Sequence, residues 1–232
     1  MNKILTALTA ILLFAIPANA GDRPVVIELF TSQGCSSCPP ADAFLHELAE
    51  RDDVIALALH VDYWDYIGWK DSFADPKFTQ RQRAYAKADG RRMVYTPQMV
   101  INGTSHVVGN RPKDVLELIE MDHRKPGAVA LSAEYDSGQV TIQAERLDGG
   151  SSPLSVVMLR YSPRNEVRIT AGENGGRSLS YANVVTDMRA IDVWDNKDPL
   201  FMNLQAPGEA PIVILLQRDG GVGAIEAAVQ LR

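Results

Sequence analysis

The sequence predicts an α/β domain followed by a mostly antiparallel β-sandwich, and three observations carry that expectation. From Pro24 to Lys125, short β-branched runs alternate with stretches of helical period in the order βαβαββα. After Pro126-Gly127 the helical period stops, and strand-like runs follow one another between Gly, Ser, Asp and Pro clusters. Removal of the leader described below leaves about 210 residues, enough for two cores, at 21–125 and 126–232.

Each element has a local reason. Val25 to Phe30 is an apolar, β-branched run suited to a strand buried on both faces. Pro39 to Glu50 sets Ala41, Phe44, Leu45, Leu48 and Ala49 at helical spacing, and prolines in a first turn need no N–H partner. Val54 to Val61 reads as the second strand. Pro76 to Asp89 reads as a polar helix with Phe78, Tyr85 and Ala88 as its apolar contacts, stopped at Gly90. Met99 to Ile101, Asn102-Gly103 and Ser105 to Val108 make a hairpin signal with type I′ turn residues. Pro112 to Met121 closes the unit as a helix carrying Val115, Leu118 and Ile119 on one side.

In the second half, strands are expected at 129–135, 140–147, 154–161, 167–170, 201–204 and 212–217. Gly220 to Leu231 suits either a last strand or a short helix.

Residues 1–20 have the form of an export signal: Lys3, an apolar core from Ile4 to Ile16, and Ala18-Asn19-Ala20 as a cleavage site. A soluble periplasmic or secreted product is expected, in a compartment where disulfides persist. No later segment is long and apolar enough for a membrane span. The net charge of −6, with no basic cluster, argues against nucleic acid as a partner.

Chemistry concentrates where the first strand gives way to the first helix. Cys35 and Cys38, the only cysteines, form a C-x-x-C motif there. A thiolate at a helix N-terminus is stabilised by unpaired backbone N–H groups and the positive end of the dipole, so its pKa falls. A purely structural bridge is the competing reading. Closing so short a loop stabilises by only about 2 kcal/mol, against about 3 for fifteen residues. A metal thiolate site is the third. His60, in His60-Val61-Asp62-Tyr63-Trp64-Asp65 at the end of the second strand, would join two thiolates in a site suited to copper(I). Otherwise His60 is a packed, hydrogen-bonded histidine, and Tyr63 and Trp64 fill space under a loop. Trp64, Tyr66 and Trp69 form either an apolar wall for a substrate or a seam between the halves. In Glu173-Asn174-Gly175-Gly176-Arg177, a glycine turn holds an arginine that binds an anion, approaches the cysteine pair or caps a hairpin. No P-loop, dinucleotide fingerprint, Ser-His-Asp or zinc-protease motif is present.

With the C-x-x-C after the first strand, Thr96-Pro97 before the hairpin and Asn102-Gly103 at its turn, the first half resembles thioredoxin. That resemblance implies a cis Pro97 facing the cysteines, a Thr96 whose backbone pairs with an extended substrate, and a buried carboxylate, here Glu28, relaying a proton to the resolving thiol. The whole chain resembles bacterial exported proteins grouped as domain of unknown function 1223. The pieces that carry this are Glu28 to Asp42, His60 to Asp65, Tyr95-Thr96-Pro97-Gln98 and Glu173 to Arg177.

The expected activity is thiol–disulfide exchange on protein or low-molecular-weight thiols, with Cys35 attacking, Cys38 resolving and no cofactor required. Thr96, Tyr63 and Trp64 would contact the substrate. Two cysteines allow no internal relay, so a separate redox partner is implied. The alternatives are a copper-binding or copper-delivery protein using Cys35, Cys38 and His60, and a non-catalytic interaction protein whose β half binds a partner.

Overall fold

The computed structural model describes residues 23–231, and the export signal expected at residues 1–20 lies outside the described residues. Seven elements follow the predicted order: β1 (Val25–Thr31), α1 (Pro39–Ala49), β2 (Val54–His60), α2 (Pro76–Ala88), β3 (Gln98–Ile101), β4 (Ser105–Val108) and α3 (Pro112–His123). β1 and β2 run parallel from Val25 opposite Val54 to Thr31 opposite His60, and β3 returns antiparallel on the other edge of β1. The hairpin loop is one residue longer than the predicted type I′ turn, since Ile101 pairs with Ser105. Gly103 is required in it: φ is 72°, and a Cβ there would meet the Gly223 carbonyl oxygen.

The second half overturns the expected fold class. Its strands are β5 (Val129–Asp136), β6 (Gln139–Arg146), β7 (Leu154–Arg168), β8 (Ser178–Trp194), β9 (Leu200–Gln205), β10 (Ile212–Gln217) and β11 (Ile225–Leu231). Four of them join the first half in one mixed eight-stranded sheet of order β11-β10-β7-β8-β2-β1-β3-β4, and only β5, β6 and β9 form a second sheet. With eleven strands and three α-helices among the described residues, the protein is mostly β. It is not a thioredoxin-like α/β domain followed by a separate sandwich.

The reason lies in β2. All seven of its residues are buried, and β1 occupies only one edge. Its other edge still needs partners, because buried backbone groups left unpaired are costly. β8 supplies them: it runs parallel to β2 at Ala58 and Val184, and Asn183 donates its Nδ2–H to the Ala56 carbonyl at 2.9 Å. An apolar run does not disclose which strand will take its edge. The runs expected at 154–161 and 167–170 are parts of one strand, β7, which pairs with β8 from Leu154 opposite Trp194 to Arg168 opposite Ser178. Residues 225–231 are strand rather than helix.

Three apolar clusters hold these layers together. Alternation along β1 sends Val25, Ile27 and Leu29 to the cluster under α1 and α3, and Val26 and Phe30 to the one beneath α2. The third cluster lies in the second half, where Val140 and Ile142 of the small sheet meet Val156, Ile214 and Leu216 of the large one. Tyr181 and Val184 of β8 belong to the α1 cluster, so the β7–β8 ribbon reaches the helix that follows the cysteine motif.

Candidate functional site

Cys35 and Cys38 are joined in a disulfide with Cα atoms 5.4 Å apart. Cys38 is the N-cap of α1, and its carbonyl accepts from the N–H groups of Ala41 and Asp42 at 2.8 and 3.0 Å. Pro39 and Pro40 fill the first helical positions and have no N–H to offer. This corrects the expected cluster of free backbone donors: the first turn brings its dipole to the sulfurs but few hydrogen bonds. Cys35 is 3% exposed and Cys38 fully buried, whereas Ser36 and Ser37 are exposed.

The loop before the helix is fastened by side chains from two segments, 69–72 and 174–177. Gln33 N donates to Asp71 Oδ2 at 2.8 Å, Gln33 Nε2 donates to Ser72 Oγ at 3.1 Å, and Trp69 Nε1 donates to Gln33 Oε1 at 2.8 Å. From the β7–β8 turn, Asn174 Nδ2 donates to the carbonyls of Gln33 at 2.9 Å and Cys35 at 3.0 Å, and Arg177 Nη1 donates to Asn174 Oδ1 at 2.9 Å. The turn packs closely at Gly172, where φ is 71° and a Cβ would come within 3.1 Å of the Trp69 Cβ.

Thr96–Pro97 is a cis peptide bond. Trp64 Nε1 donates to Thr96 Oγ1 at 2.7 Å, and a Cβ built on Gly34 would lie 3.4 Å from Trp64 Cβ, so this indole bridges the cysteine loop to the proline segment. Pro97 lies beside the first turn of α1: a Cβ on Gly109 would stand 3.2 Å from Ala41 Cβ and 3.3 Å from Pro97 Cβ. Tyr63 and Tyr66 flank Trp64, with ring centroids 6.0 and 6.5 Å away.

Glu28 is not brought to the cysteines. It is carried on the β1 face that also bears Val26 and Phe30, opposite α1, where Arg81 holds it through two hydrogen bonds at 2.7 and 3.0 Å. Tyr85 Oη donates to Glu28 Oε2 at 2.5 Å, and Gln217 binds both Arg81 and Tyr85. His60 is fully buried, its Nδ1 2.7 Å from Asp71 Oδ2 and its ring edge-on to Phe73 and Tyr181. Among the described residues no group of three or more His, Cys, Asp or Glu side chains is placed to hold a metal ion. Glu173 is exposed beside Asn174.

Asp42 is the carboxyl that the sequence reading missed. It sits one turn after Cys38, is 4% exposed, and accepts from Thr31 Oγ1 at 2.7 Å. Burial pushes its pKa up to about 7; nearby His60 and the Thr31 hydrogen bond oppose the rise, and Asp71 adds to it. Burial also raises the pKa of Tyr181, with Asp42 and Asp71 adding to it. The available signal was helical spacing, which puts Asp42 on one face with Cys38 and Leu45. Asp71 and Gln33 were missed as well, because loop residues have no period to betray burial.

Fold and site together define a disulfide-bearing mixed-sheet protein in which a turn from the second half clamps a C-x-x-C loop in the first. The chain belongs to the family described as protein of unknown function (DUF1223), whose model matches residues 26–217. It is similar to a protein from Agrobacterium tumefaciens with a known X-ray structure, at 34% identity and a TM-score of 0.78 over 89% of this chain and 93% of that one. HBP35 of Porphyromonas gingivalis shares the fold, at 15% identity and a TM-score of 0.61 over 90% of this chain and 74% of that one. No curated protein matches the chain.

Proposed function

We propose that the Cys35–Cys38 pair exchanges disulfides with thiol compounds outside the cytoplasm. The observation that carries this reading is a disulfide closing a two-residue gap at the N-cap of α1. As a staple it stabilises by only about 2 kcal/mol. Fastening the surrounding loop with Asn174, Trp69 and Asp71 is needless for a staple, and it suits a site whose geometry must persist when the bridge opens.

In the reduced state, the Cys35 thiolate attacks one sulfur of a substrate disulfide. The Cys35–substrate bond forms, the substrate bond breaks, and the other half leaves as a thiolate. Cys38 then loses its proton and attacks Cys35, releasing the second half as a thiol and restoring the protein disulfide. In this reading Thr96 and Pro97 line the approach and Trp64 with Tyr63 forms its apolar wall, supported by the Trp64–Thr96 hydrogen bond and the adjacent Tyr63 and Trp64 rings. The leader supports an exported site of action, and among the described residues no helix is long and apolar enough to cross a membrane. The redox partner is a separate molecule, since the chain has no second cysteine pair.

The test is the reduction potential of the pair, measured by thiol trapping in graded glutathione buffers. A value between about −120 and −270 mV is expected, the range of working exchangers. A pair that remains oxidised below about −300 mV would overturn the reading in favour of a structural bridge.

A further inference from the structure

A groove of about 490 Å³ runs between the first two turns of α1 and the start of β8. Ser36 and Pro39, the residues flanking the disulfide on its helix side, form one end of its wall, and Arg177 and Ser180 form the facing side. Three buried polar atoms without a hydrogen-bond partner belong to lining residues: Asp42 Oδ2, His46 Nε2 and Ser180 Oγ. Buried polar atoms in native proteins are nearly always satisfied, so three unpaired atoms around one groove point to a polar occupant. Asp42 is more than nine-tenths buried. Its Oδ1 accepts from Thr31, and its Oδ2 has no partner.

The charge of the occupant follows from the wall. Arg177 is exposed, and only one nitrogen of its guanidinium is engaged, by Asn174 Oδ1. No carboxylate pairs with it among the described residues, although the chain as a whole carries a net charge of −6. The N-terminal end of α1 adds positive potential to the same side of the groove. Ser36 and Ser178, both exposed on its wall, add hydroxyl donors. A guanidinium beside hydroxyl donors matches a carboxylate, which accepts two hydrogen bonds from one planar fork. The cysteines retain almost no exposure, which favours a small reactant over a folded one.

We propose that this groove binds the carboxylate of a low-molecular-weight disulfide and directs its sulfur–sulfur bond to Cys35, with Arg177 as the anchor. The proposal rests on the exchange reading above and names its substrate class. In the reaction, the reduced protein and one small disulfide yield the protein disulfide and two small thiols. Two electrons pass from Cys35 and Cys38 to the substrate sulfurs, and the two thiol protons end on the products.

The experiment compares two disulfides on the reduced, full mature chain by rapid mixing and acid trapping: cystine, which carries a carboxylate on each half, and hydroxyethyl disulfide, which carries none. The readout is the ratio of their second-order rates, so any general effect of a substitution on the cysteine loop cancels. The wild-type ratio is expected to exceed the same ratio for free cysteine as attacking thiol. Arg177→Ala should lower it about tenfold, the worth of one charge-assisted contact, and Arg177→Lys should restore part of it. An unchanged ratio in Arg177→Ala, with both disulfides still reacting, would overturn the groove proposal and leave exchange standing. Failure of the wild type to react with either disulfide would overturn the exchange reading and the proposal with it.

Discussion

Asn174 Nδ2, in the turn between β7 and β8, donates to the carbonyl oxygen of Cys35 at 3.0 Å across 139 residues of sequence. The same amide nitrogen reaches the Gln33 carbonyl, and Arg177 fixes the amide from behind through Asn174 Oδ1. The cysteine loop is thus completed by the second half of the chain. The continuous eight-stranded sheet makes this possible, because β8 is seated against β2 and carries the turn over the N-terminus of α1.

Replacing Asn174 by alanine takes the donor from the Gln33 carbonyl and one of two donors from the Cys35 carbonyl, which keeps the Cys38 N–H. The expected cost is about 1–3 kcal/mol, read as a lower urea midpoint at unchanged slope. The loss should be local as well: amides of residues 33–38 should exchange hydrogen at least about tenfold faster than in the wild type. Unchanged exchange in that segment would show that the clamp does not hold the loop.

What was legible in the sequence was local. The periods of β1 and α1 placed the cysteines at a strand–helix junction, and Thr96-Pro97 was marked by its position before a hairpin. The polar turn around Asn174 stood out by its glycines, but its target did not, because no local pattern encodes a contact 139 residues away. β8 escaped notice for a different reason. Its far half interleaves Asp187, Arg189 and Asp192 with exposed apolar residues, so the alternation expected of a half-buried strand is blurred. Glu28 was named through the thioredoxin resemblance, as a buried carboxylate beside the resolving thiol. Only the alternation of β1 against α2 shows that its partner is Arg81 rather than a thiol.

That separation of faces gives a second test. Arg81→Met removes the cation from a fully buried Glu28 and should destabilise the fold by about 3–5 kcal/mol. Glu28→Gln in the same chain should recover part of the loss, since it removes the stranded charge. The potential of the Cys35–Cys38 pair should move by less than about 15 mV, roughly a threefold change in its equilibrium constant. A larger shift in the Arg81→Met chain would mean that Glu28 communicates with the cysteines across the sheet.

Asp42 gives the pH dependence, and its sign follows from its environment. Its pKa rises from 3.8 to about 7 on folding because burial penalises the carboxylate. Folding therefore favours the protonated form, and Asp42's contribution to stability is fully present below about pH 4 and lost as pH rises through about 7. The loss approaches on the order of 4 kcal/mol once the folded group ionises. Asp42→Asn keeps an oxygen for the Thr31 hydroxyl and carries no charge, so its urea stability should stay nearly flat between about pH 5 and pH 8 where the wild type declines. Above about pH 7.5 the variant should be the more stable of the two. Parallel profiles for both proteins would show that Asp42 does not set the pH dependence of stability in this range.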